Sequence, residues 1–497
     1  MLKSLSAAAL FAAAVTAPFA QATTDITKPT FTVFHEMGRV EKATFDNTLD
    51  IENQWVHRSG AWVNLRSERG DRLSLDLVFG GVYYTNTKEQ SDASTKTRFF
   101  AASVPRFDVT YKFGDVQDPF LKLNAGIFNY KYNEYSRNLG EYAFRSGTYP
   151  GWISTGGITY VGVNSAQVTG FRLSQGMGAF SHELLATLET EVLPTYDLSL
   201  TYMAKYNWNN VVKLGGGVQL ARVLPAVPSR TNPSVLRDAS SGDVNPIATN
   251  QYFKHNGEWY VNYAGYYDAL LASPRTTSAD SARYLRAKLV LDSARGISSV
   301  NGDTLGGGPS NPPISVDYKE YKASGVKPIV TASFDPKPLL GGLPMLGAQD
   351  LVIYGEAALL GVKDYPIFYD DWTKRVPVMV GFNLPTFKML DVLAIEAEYY
   401  GSEYPDNFQG LISGAVQGTP WPTLPAGNTG YHPDDWKDDN WKWSVYAQRR
   451  LTDGVSLSAQ VARDHARAWA YPTGKTYWGI MNDDKSWYWM LKLTANL

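Results

Sequence analysis

The last eleven residues, from Trp487 to Leu497, constrain the fold more than any other stretch of this chain. Side chains alternate across a β-strand, so an extended conformation places every second residue on the same face. One face then carries two tryptophans, three leucines and an alanine, whereas the other face is mostly polar. A closed barrel in a membrane requires such a strand, because its outer face contacts lipid and its inner face contacts water. The C-terminus therefore predicts the closing strand of a membrane barrel.

The N-terminus has the features of an export signal. Lys3 provides a positive charge, the stretch 2–15 is rich in alanine and leucine, and Ala20-Gln21-Ala22 is a small-x-small cleavage site. These features predict a secretory signal peptide at residues 1–22, with a buried N-terminal helix as the alternative. The sequence contains no cysteine, which excludes disulfides and any cysteine-based metal or catalytic site.

The same alternation of apolar and polar residues recurs from about residue 45 to the C-terminus. Segments near ten residues long match the length that a tilted strand needs to cross a bilayer. We predict sixteen strands, at residues 45–57, 61–69, 72–84, 99–113, 118–132, 157–175, 180–192, 196–208, 211–224, 322–335, 350–362, 375–384, 389–401, 441–451, 455–467 and 487–497. No run of eighteen apolar residues follows the signal peptide, which argues against a helical membrane span.

The connections between these strands alternate in length, as they do when tight turns lie at one end of a barrel and long loops at the other. The short set includes the turn signals Gly70-Asp71, Asn209-Asn210 and Asp453-Gly454, and we assign it to the periplasmic side. One member of this set, 336–349, is unexpectedly long. The predicted external connections are 85–98, 133–156, 225–321, 402–440 and 468–486. The predicted fold is all-β, a closed antiparallel transmembrane β-barrel with long external loops, because an open sheet edge in lipid leaves backbone groups unpaired.

Three segments follow from this pattern: the signal peptide, an N-terminal periplasmic segment at 23–44, and the barrel at 45–497 with a large external insertion at 225–321. Within the insertion, Ser281–Arg295 fits either a strand or a short helix. Counting it as a strand disturbs the alternation unless another strand is added, which would give eighteen strands. We therefore prefer a helix there and a barrel of sixteen strands.

Charged residues on the strands oppose the apolar faces. A charge on the lipid face at mid-bilayer costs about 2–4 kcal/mol, so these side chains are expected to point into the lumen. The predicted lumen-facing charges are Arg72, Asp76, Lys112, Lys122, Lys205, Lys213, Glu356, Glu396, Glu398 and Lys492. Both signs occur, which predicts weak ion selectivity.

Catalysis finds little support in the sequence. Glu396 and Glu398 share a strand face and could suggest a glycosidase pair, but lumen or surface charges explain them more simply. The six histidines are scattered, without metal-ligand spacing or a serine–histidine–aspartate motif. We therefore predict a protein that is not an enzyme and that needs no cofactor or metal. The net charge of −2 argues against nucleic acid as a partner.

The signal peptide, the repeated strands and the final strand together resemble the bacterial porin superfamily. The ending resembles the assembly signal of outer-membrane proteins, with Leu497 in place of the commoner phenylalanine. The resemblance implies a channel in the outer membrane of a Gram-negative-type bacterium, in contact with lipid, that passes small hydrophilic solutes and assembles as a homotrimer. The alternative is an outer-membrane barrel whose external loops bind a glycan or a protein without transport.

The predicted loop at 133–156 follows the fifth predicted strand. At this position the general-diffusion porins carry the loop that folds into the barrel and narrows the pore. The resemblance thus implies four pore-constriction candidates, Glu134, Arg137, Glu141 and Arg145. Opposed charges across a constriction create a field that selects solutes by charge and dipole. The alternative is an ordinary surface loop.

Overall fold

The computed structural model describes residues 24–26, 28–45, 49–86, 98–144, 166–190, 196–226, 252–255, 258–261, 264–272, 276–295, 304–305, 314–315, 325–341, 343–362, 372–400, 441–463 and 487–497. Its main sheet contains sixteen barrel strands: β1 Thr30–Phe45, β2 Leu49–Arg69, β3 Leu73–Asn86, β4 Arg98–Gly114, β5 Pro119–Tyr130, β6 Ala166–Met177, β7 Phe180–Leu188, β8 Leu198–Trp208, β9 Val212–Leu224, β10 Gly325–Phe334, β11 Ile353–Ala358, β12 Val378–Asn383, β13 Val392–Tyr399, β14 Trp441–Thr452, β15 Val455–Arg463 and β16 Trp487–Asn496.

Every strand pairs antiparallel with its neighbour in sequence, and β16 pairs with β1. Reciprocal backbone hydrogen bonds between Phe31 and Leu497, 2.9 and 2.7 Å long, join the two ends of the sheet. A short segment, Thr24–Ile26, precedes β1 and pairs with the end of β2 near Arg69. The predicted closed antiparallel barrel of sixteen strands is confirmed, and its closure satisfies the backbone groups of both edges.

The predicted boundaries at the start of the barrel are wrong in two places. One error omits a strand and the other adds one, so the predicted number of strands is still sixteen. Thr30–Phe45 is a barrel strand rather than part of a periplasmic segment at 23–44. The predicted strands 45–57 and 61–69 are one strand, Leu49–Arg69. Gly60 is not a turn: a Cβ there would lie 2.2 Å from a ring carbon of Phe34, so the glycine makes room for that ring inside the sheet. The predicted signal peptide lies outside the described residues.

Tight turns lie at one end of the barrel, which we call the turn end. Asn209 and Asn210 connect β8 to β9 with φ values of 51° and 59°, the left-handed conformation that suits a two-residue hairpin. The connection between β10 and β11 is at the same end and is long, with a 3-10 helix at Lys337–Leu340. The opposite rim, the loop end, holds the long connections after β3, β5, β9, β13 and β15.

The insertion between β9 and β10 contains helical structure. The helices are α1, Ala264–Ala272, and α2, Ser278–Arg295, which confirms the helix preferred for Ser281–Arg295. Two small hairpins lie in the same insertion: Tyr252–His255 with Glu258–Val261, and Thr304–Leu305 with Ile314–Ser315. Within the described ranges, no helix has the length and apolar character to cross a membrane.

The outer face of the barrel is apolar and the inner face is polar. Exposed side chains on alternate positions of the strands include Leu214, Val330, Ile395, Leu491 and Leu493. Exposed aromatic residues lie near both rims, with Tyr206 and Trp208 at the turn end and Tyr399, Trp441 and Trp487 at the loop end. This distribution is that of a strand-built membrane protein with an aromatic girdle at each interface.

Candidate pore constriction

Residues 131–144, which follow β5, fold into the barrel instead of away from it; we call them the inward loop. Leu139 and Glu141 are fully buried, and Tyr142 is nearly so. They lie against the inner face of β10 to β14, which we call the covered wall. Gly140 shows how close the approach is, since a Cβ there would lie 2.7 Å from the terminal methyl of Met379 on β12.

Glu396 on β13 binds one turn of the inward loop. Its carboxylate accepts hydrogen bonds from the backbone amides of Arg137, Asn138 and Leu139, the last two at 2.8 and 2.9 Å. The hydroxyl of Tyr354 donates a further bond of 2.8 Å to the same carboxylate. A buried carboxylate is costly unless donors surround it, and here the loop backbone supplies most of them.

Glu356 on β11 binds the two ends of the same loop. It accepts bonds from the hydroxyl of Tyr132 and the side-chain amide of Asn133, the latter at 3.1 Å. The backbone amides of Glu141 and Tyr142 each donate to it at 2.9 Å. Burial and the adjacent Glu356 carboxylate raise the pKa of the Tyr132 hydroxyl well above its ordinary value, so this hydroxyl stays a donor.

Two further contacts fix the end of the inward loop. The hydroxyl of Tyr142 donates to Glu398 at 2.9 Å, and Glu398 lies 3.8 Å from the ammonium of Lys442. On β10, the buried Lys327 ammonium donates to the carbonyls of Tyr142 and Ala143 at 2.8 and 3.3 Å. The covered wall therefore provides both acceptors for the loop amides and a donor for the loop carbonyls.

Apolar packing supplements these bonds. Buried side chains of the loop and of the covered wall, such as Leu139, Tyr354 and Met379, belong to one apolar cluster. The same cluster includes Phe128, Val168 and Leu185 on β5 to β7. The face of Tyr135 lies 5.9 Å from that of Tyr354. Burial of such side chains contributes about 1.5–3 kcal/mol each, so the loop is held by packing as well as by hydrogen bonds.

The inner face of β2 to β7, which we call the open wall, is different. Arg106 bridges Asp76 at 3.1 Å and Asp108 at 2.5 Å, and Arg66 lies 3.7 Å from Asp76. The side chains of Arg66 and Arg106 are 50% and 34% exposed. The arginines of these pairs therefore keep access to solvent, whereas Asp108 is buried.

A second ion pair lies further along the open wall. Arg172 on β6 contacts Glu183 on β7 at 2.5 Å, and its guanidinium lies 5.2 Å from the centre of the Tyr130 ring. The Arg172 side chain is 32% exposed. Both signs of charge thus occur on the partly exposed side of the barrel interior.

The four constriction candidates differ in their exposure and in their partners. Glu134 is exposed and pairs with Lys213 on β9. Arg137 gives its backbone amide to Glu396, and its guanidinium bonds Gln349 of the β10–β11 connection at 3.2 Å. Arg145 lies outside the described residues.

Glu141 differs from the prediction of a pore-lining charge. Its carboxylate is buried and accepts the backbone amides of Tyr132 and Asn133 at 3.3 and 2.6 Å. The two amides follow the end of β5 and need acceptors outside the sheet. The Glu141 carboxylate supplies these acceptors and so stabilises a turn within the loop.

Of the predicted lumen-facing charges, Glu356, Glu396 and Glu398 lie together beneath the inward loop. Asp76 belongs to the ion pairs of the open wall. Arg72 does not lie on a strand; it is an exposed residue of the β2–β3 turn, because the strand begins one residue later.

The predicted lumen-facing lysines lie at three separate places. Lys112 is directly opposite Lys122 on the neighbouring strand. Lys492 on β16 lies over the ring of Phe34 at 4.8 Å. Lys205 and Lys213 line a cavity beside the inward loop.

Sequence reasoning missed several residues of this arrangement, among them Arg106, Asp108, Lys327 and Tyr132. Asp108 shares the phase of Lys112, so alternation on β4 was a usable signal for it. Lys327 lies between Val326 and Pro328, a pattern that also marks an inward residue. No comparable signal existed for Tyr132, because its position depends on the path of the loop.

The described residues contain no group of three or more histidine, aspartate or glutamate side chains placed to hold a metal ion. The inner surface of these ranges is instead a set of ion pairs and charge-assisted hydrogen bonds. This arrangement places the inward loop and the charged side chains of the open wall on the two sides of a lumen.

No family model matches this chain, and no curated protein matches its sequence. The solved structures similar to it are porins and outer-membrane channels. The outer-membrane channel DcaP of Acinetobacter baumannii is 10% identical, with a TM-score of 0.40 and coverage of 95% of this chain and 97% of that one. OprB of Pseudomonas putida in its high-pH structure is 10% identical, with a TM-score of 0.41 and coverage of 95% and 94%.

OmpF of Salmonella typhi, in complex with daunomycin, is 8% identical, with a TM-score of 0.37 and coverage of 96% of this chain and 98% of that one. Identities and TM-scores this low carry no information about the solute or about residue roles in this chain. Its porin-like architecture rests on its own strand count, pairing and closure.

Proposed function

We propose that this protein is an outer-membrane channel for the passive diffusion of small hydrophilic solutes. The observation that carries the proposal is the one-sided hydrogen bonding of the inward loop. Its bonds go mainly to Glu356, Glu396, Glu398 and Lys327 on the covered wall. A barrel of this strand number encloses an aqueous channel unless it is plugged. A loop held against one side narrows such a channel and leaves the other side for solutes.

The open wall supplies the second argument for a water-filled path. The arginines of its ion pairs are about one-third to one-half exposed, and the carboxylates of Asp76 and Glu183 are 13% and 18% exposed. Glu356, Glu396 and Glu398 on the covered wall are 1–3% exposed. Charged groups of both signs on the accessible side favour hydrophilic solutes and give weak selectivity between cations and anions.

The surfaces of the barrel fit the proposed location. The apolar outer face would contact outer-membrane lipid. The turn end, where β1 begins and where Leu497 lies, would face the periplasm. The loop end, with the insertion between β9 and β10, would face outwards. Diffusion through such a lumen needs no cofactor and no coupling to an energy source.

Conductance measurements test the proposal directly. Purified protein added to planar bilayers should give stepwise current increases, and liposomes that contain it should swell in sugars up to a size limit. Heat-denatured protein serves as the control for both assays. The proposal fails if the folded protein gives no conductance steps, and gives none after deletion of residues 225–321 either.

A further inference from the structure

A cavity lies between the inward loop and the inner face of β7 to β10, near the turn end. Its volume is about 210 Å³, and its lining includes Lys205, Lys213 and Glu134 together with the hydroxyls of Ser181, Thr331 and Ser333. Pockets for drug-sized ligands usually measure about 300–1,000 Å³, so this cavity suits a smaller molecule.

The charges around the cavity do not cancel. Lys213 is paired with Glu134, and its ammonium also contacts Tyr135, 3.2 Å from the hydroxyl and 5.2 Å from the ring centre. For the side chain of Lys205, no hydrogen bond or ion pair is present in the described parts of the chain. One lysine is therefore left to supply a net positive charge at the cavity.

The remaining lining favours a ligand rich in hydroxyl groups. Ser181, Thr331 and Ser333 provide hydroxyls that can both donate and accept. Asn133 and Asn207 also line the cavity, and each amide has hydrogen-bonding capacity left beyond its bonds to Glu356 and Asn210. Such groups match a ligand whose own hydroxyls need both kinds of partner. The rest of the lining includes Tyr132, Tyr135 and Leu214, so apolar surface lies beside the polar groups.

From this combination we infer that the cavity is a binding site for a small polyhydroxylated carboxylate, with Lys205 as its anion-binding residue. The carboxylate of the ligand accepts from the Lys205 ammonium, while its hydroxyls contact the serine, threonine and asparagine side chains. The site lies between the inward loop and the turn end of the barrel, beside the proposed solute path. The inference rests on the proposed function for its biological role, but the binding itself does not depend on conduction.

The test uses gluconate as the probe and glucose as the neutral molecule of similar size. Saturation-transfer NMR with the full-length protein in detergent micelles measures both dissociation constants without any need for current. Gluconate should bind and glucose should bind much more weakly. The substitution Lys205→Gln should raise the Kd for gluconate about tenfold or more, because hydrogen bonds to a charged group contribute that much.

Two variants make the result specific. Lys205→Arg keeps the charge and should retain most of the affinity. Lys122→Gln removes a lysine from the inner face of β5 that does not line the cavity, and should leave the Kd nearly unchanged. Heat-modifiable migration on gels verifies that each variant is folded.

The inference is overturned if the wild-type protein binds gluconate and glucose equally, or binds neither. It is equally overturned if Lys122→Gln weakens binding as much as Lys205→Gln does, since the lumen charge as a whole would then be responsible. Binding without conductance would refute the proposed channel and leave the site intact. Conductance without gluconate binding would do the reverse.

Discussion

The covered wall and the open wall of this barrel both carry charged side chains, but their charges have different partners. On the covered wall, Glu356 and Glu396 are buried and bind backbone amides of the inward loop. On the open wall, Asp76 and Glu183 pair with arginines that remain partly exposed. The carboxylates of the covered wall therefore bind the loop, whereas those of the open wall form ion pairs with neighbouring arginines.

The difference has a physical basis in solvation. A buried carboxylate that loses its donors costs several kcal/mol, so the three glutamates and the loop depend on each other. The arginines of the open wall are partly exposed, so solvent screens their ion pairs more than it screens the buried bonds of the covered wall. We infer that the covered wall holds the constriction in place and that the open wall sets the charge that solutes meet.

The strongest test of this comparison is to remove the carboxylates of the covered wall. The double substitution Glu356→Ala and Glu396→Ala leaves at least five loop amides buried without acceptors. Hydrogen bonds to charged groups contribute about 1.5–3 kcal/mol each, so the loop should leave the wall to reach water. Single-channel conductance should then rise severalfold, while heat-modifiable migration shows that the barrel persists.

Glu183→Ala is the matched control for that experiment, because it removes a carboxylate from the open wall instead. It should change conductance only slightly. If both changes alter conductance to the same extent, the loop is not held by the two glutamates and the distinction between the walls is wrong.

A smaller effect is expected from the substitution Lys327→Met. This buried lysine donates to the carbonyls of Tyr142 and Ala143, at the end of the loop that Glu356 also holds. Its loss should destabilise that end by about 1–3 kcal/mol and increase the noise of the open channel, without releasing the loop. Lys492→Met, on β16, is the control and should leave the noise unchanged. Equal noise in the two variants would contradict a holding role for Lys327.

On the open wall the expected change is in selectivity and not in pore size. Arg106→Gln removes the cation that contacts Asp76 and Asp108, so cations should permeate more easily at nearly constant conductance. Glu183→Gln should shift selectivity towards anions. Reversal potentials in a salt gradient measure both shifts, and shifts in the same direction would refute the role of this wall.

The strand alternation allowed much of this fold to be predicted, but the first hairpin shows its limit. The outward phase of β1 includes His35 and Arg39, so the face that meets lipid elsewhere is not purely apolar there. Gly60 reads as a break in the sequence, although it lies within β2 where Phe34 needs the space of a side chain. The omitted first strand and the break predicted before residue 61 have the same cause. Both depend on contacts between strands, which the sequence of one strand alone does not show.

The candidate site could be predicted in part for a similar reason. The alternation of β11 and β13 predicts that Glu356 and Glu396 point inwards. In the structure both are buried, with half-buried neighbours on either side of Glu356 and exposed neighbours on either side of Glu396. Their partners are backbone amides of a loop more than 200 positions away in the sequence. Because almost every residue has a backbone amide, the residue types of the loop do not show which amides bind the glutamates. The same holds for Glu141, whose carboxylate acts within its own loop.

The smallest expected effect concerns Arg137, which we predicted as a constriction residue. Arg137 is half-buried and its guanidinium bonds Gln349 of the β10–β11 connection, whereas Arg106 faces the proposed solute path. Arg137→Gln should therefore shift the reversal potential towards cation selectivity by less than Arg106→Gln does. Stability should change little, because the backbone amide that binds Glu396 is retained.

Arg449→Gln provides the baseline for this comparison. Arg449 is exposed near the turn end of β14 and bonds the carbonyl of Lys388, away from the inward loop. A shift for Arg137→Gln that is larger than this baseline and smaller than that of Arg106→Gln would place Arg137 at the margin of the constriction. A shift equal to the baseline would make it a structural residue, because its guanidinium would then add no field where solutes pass.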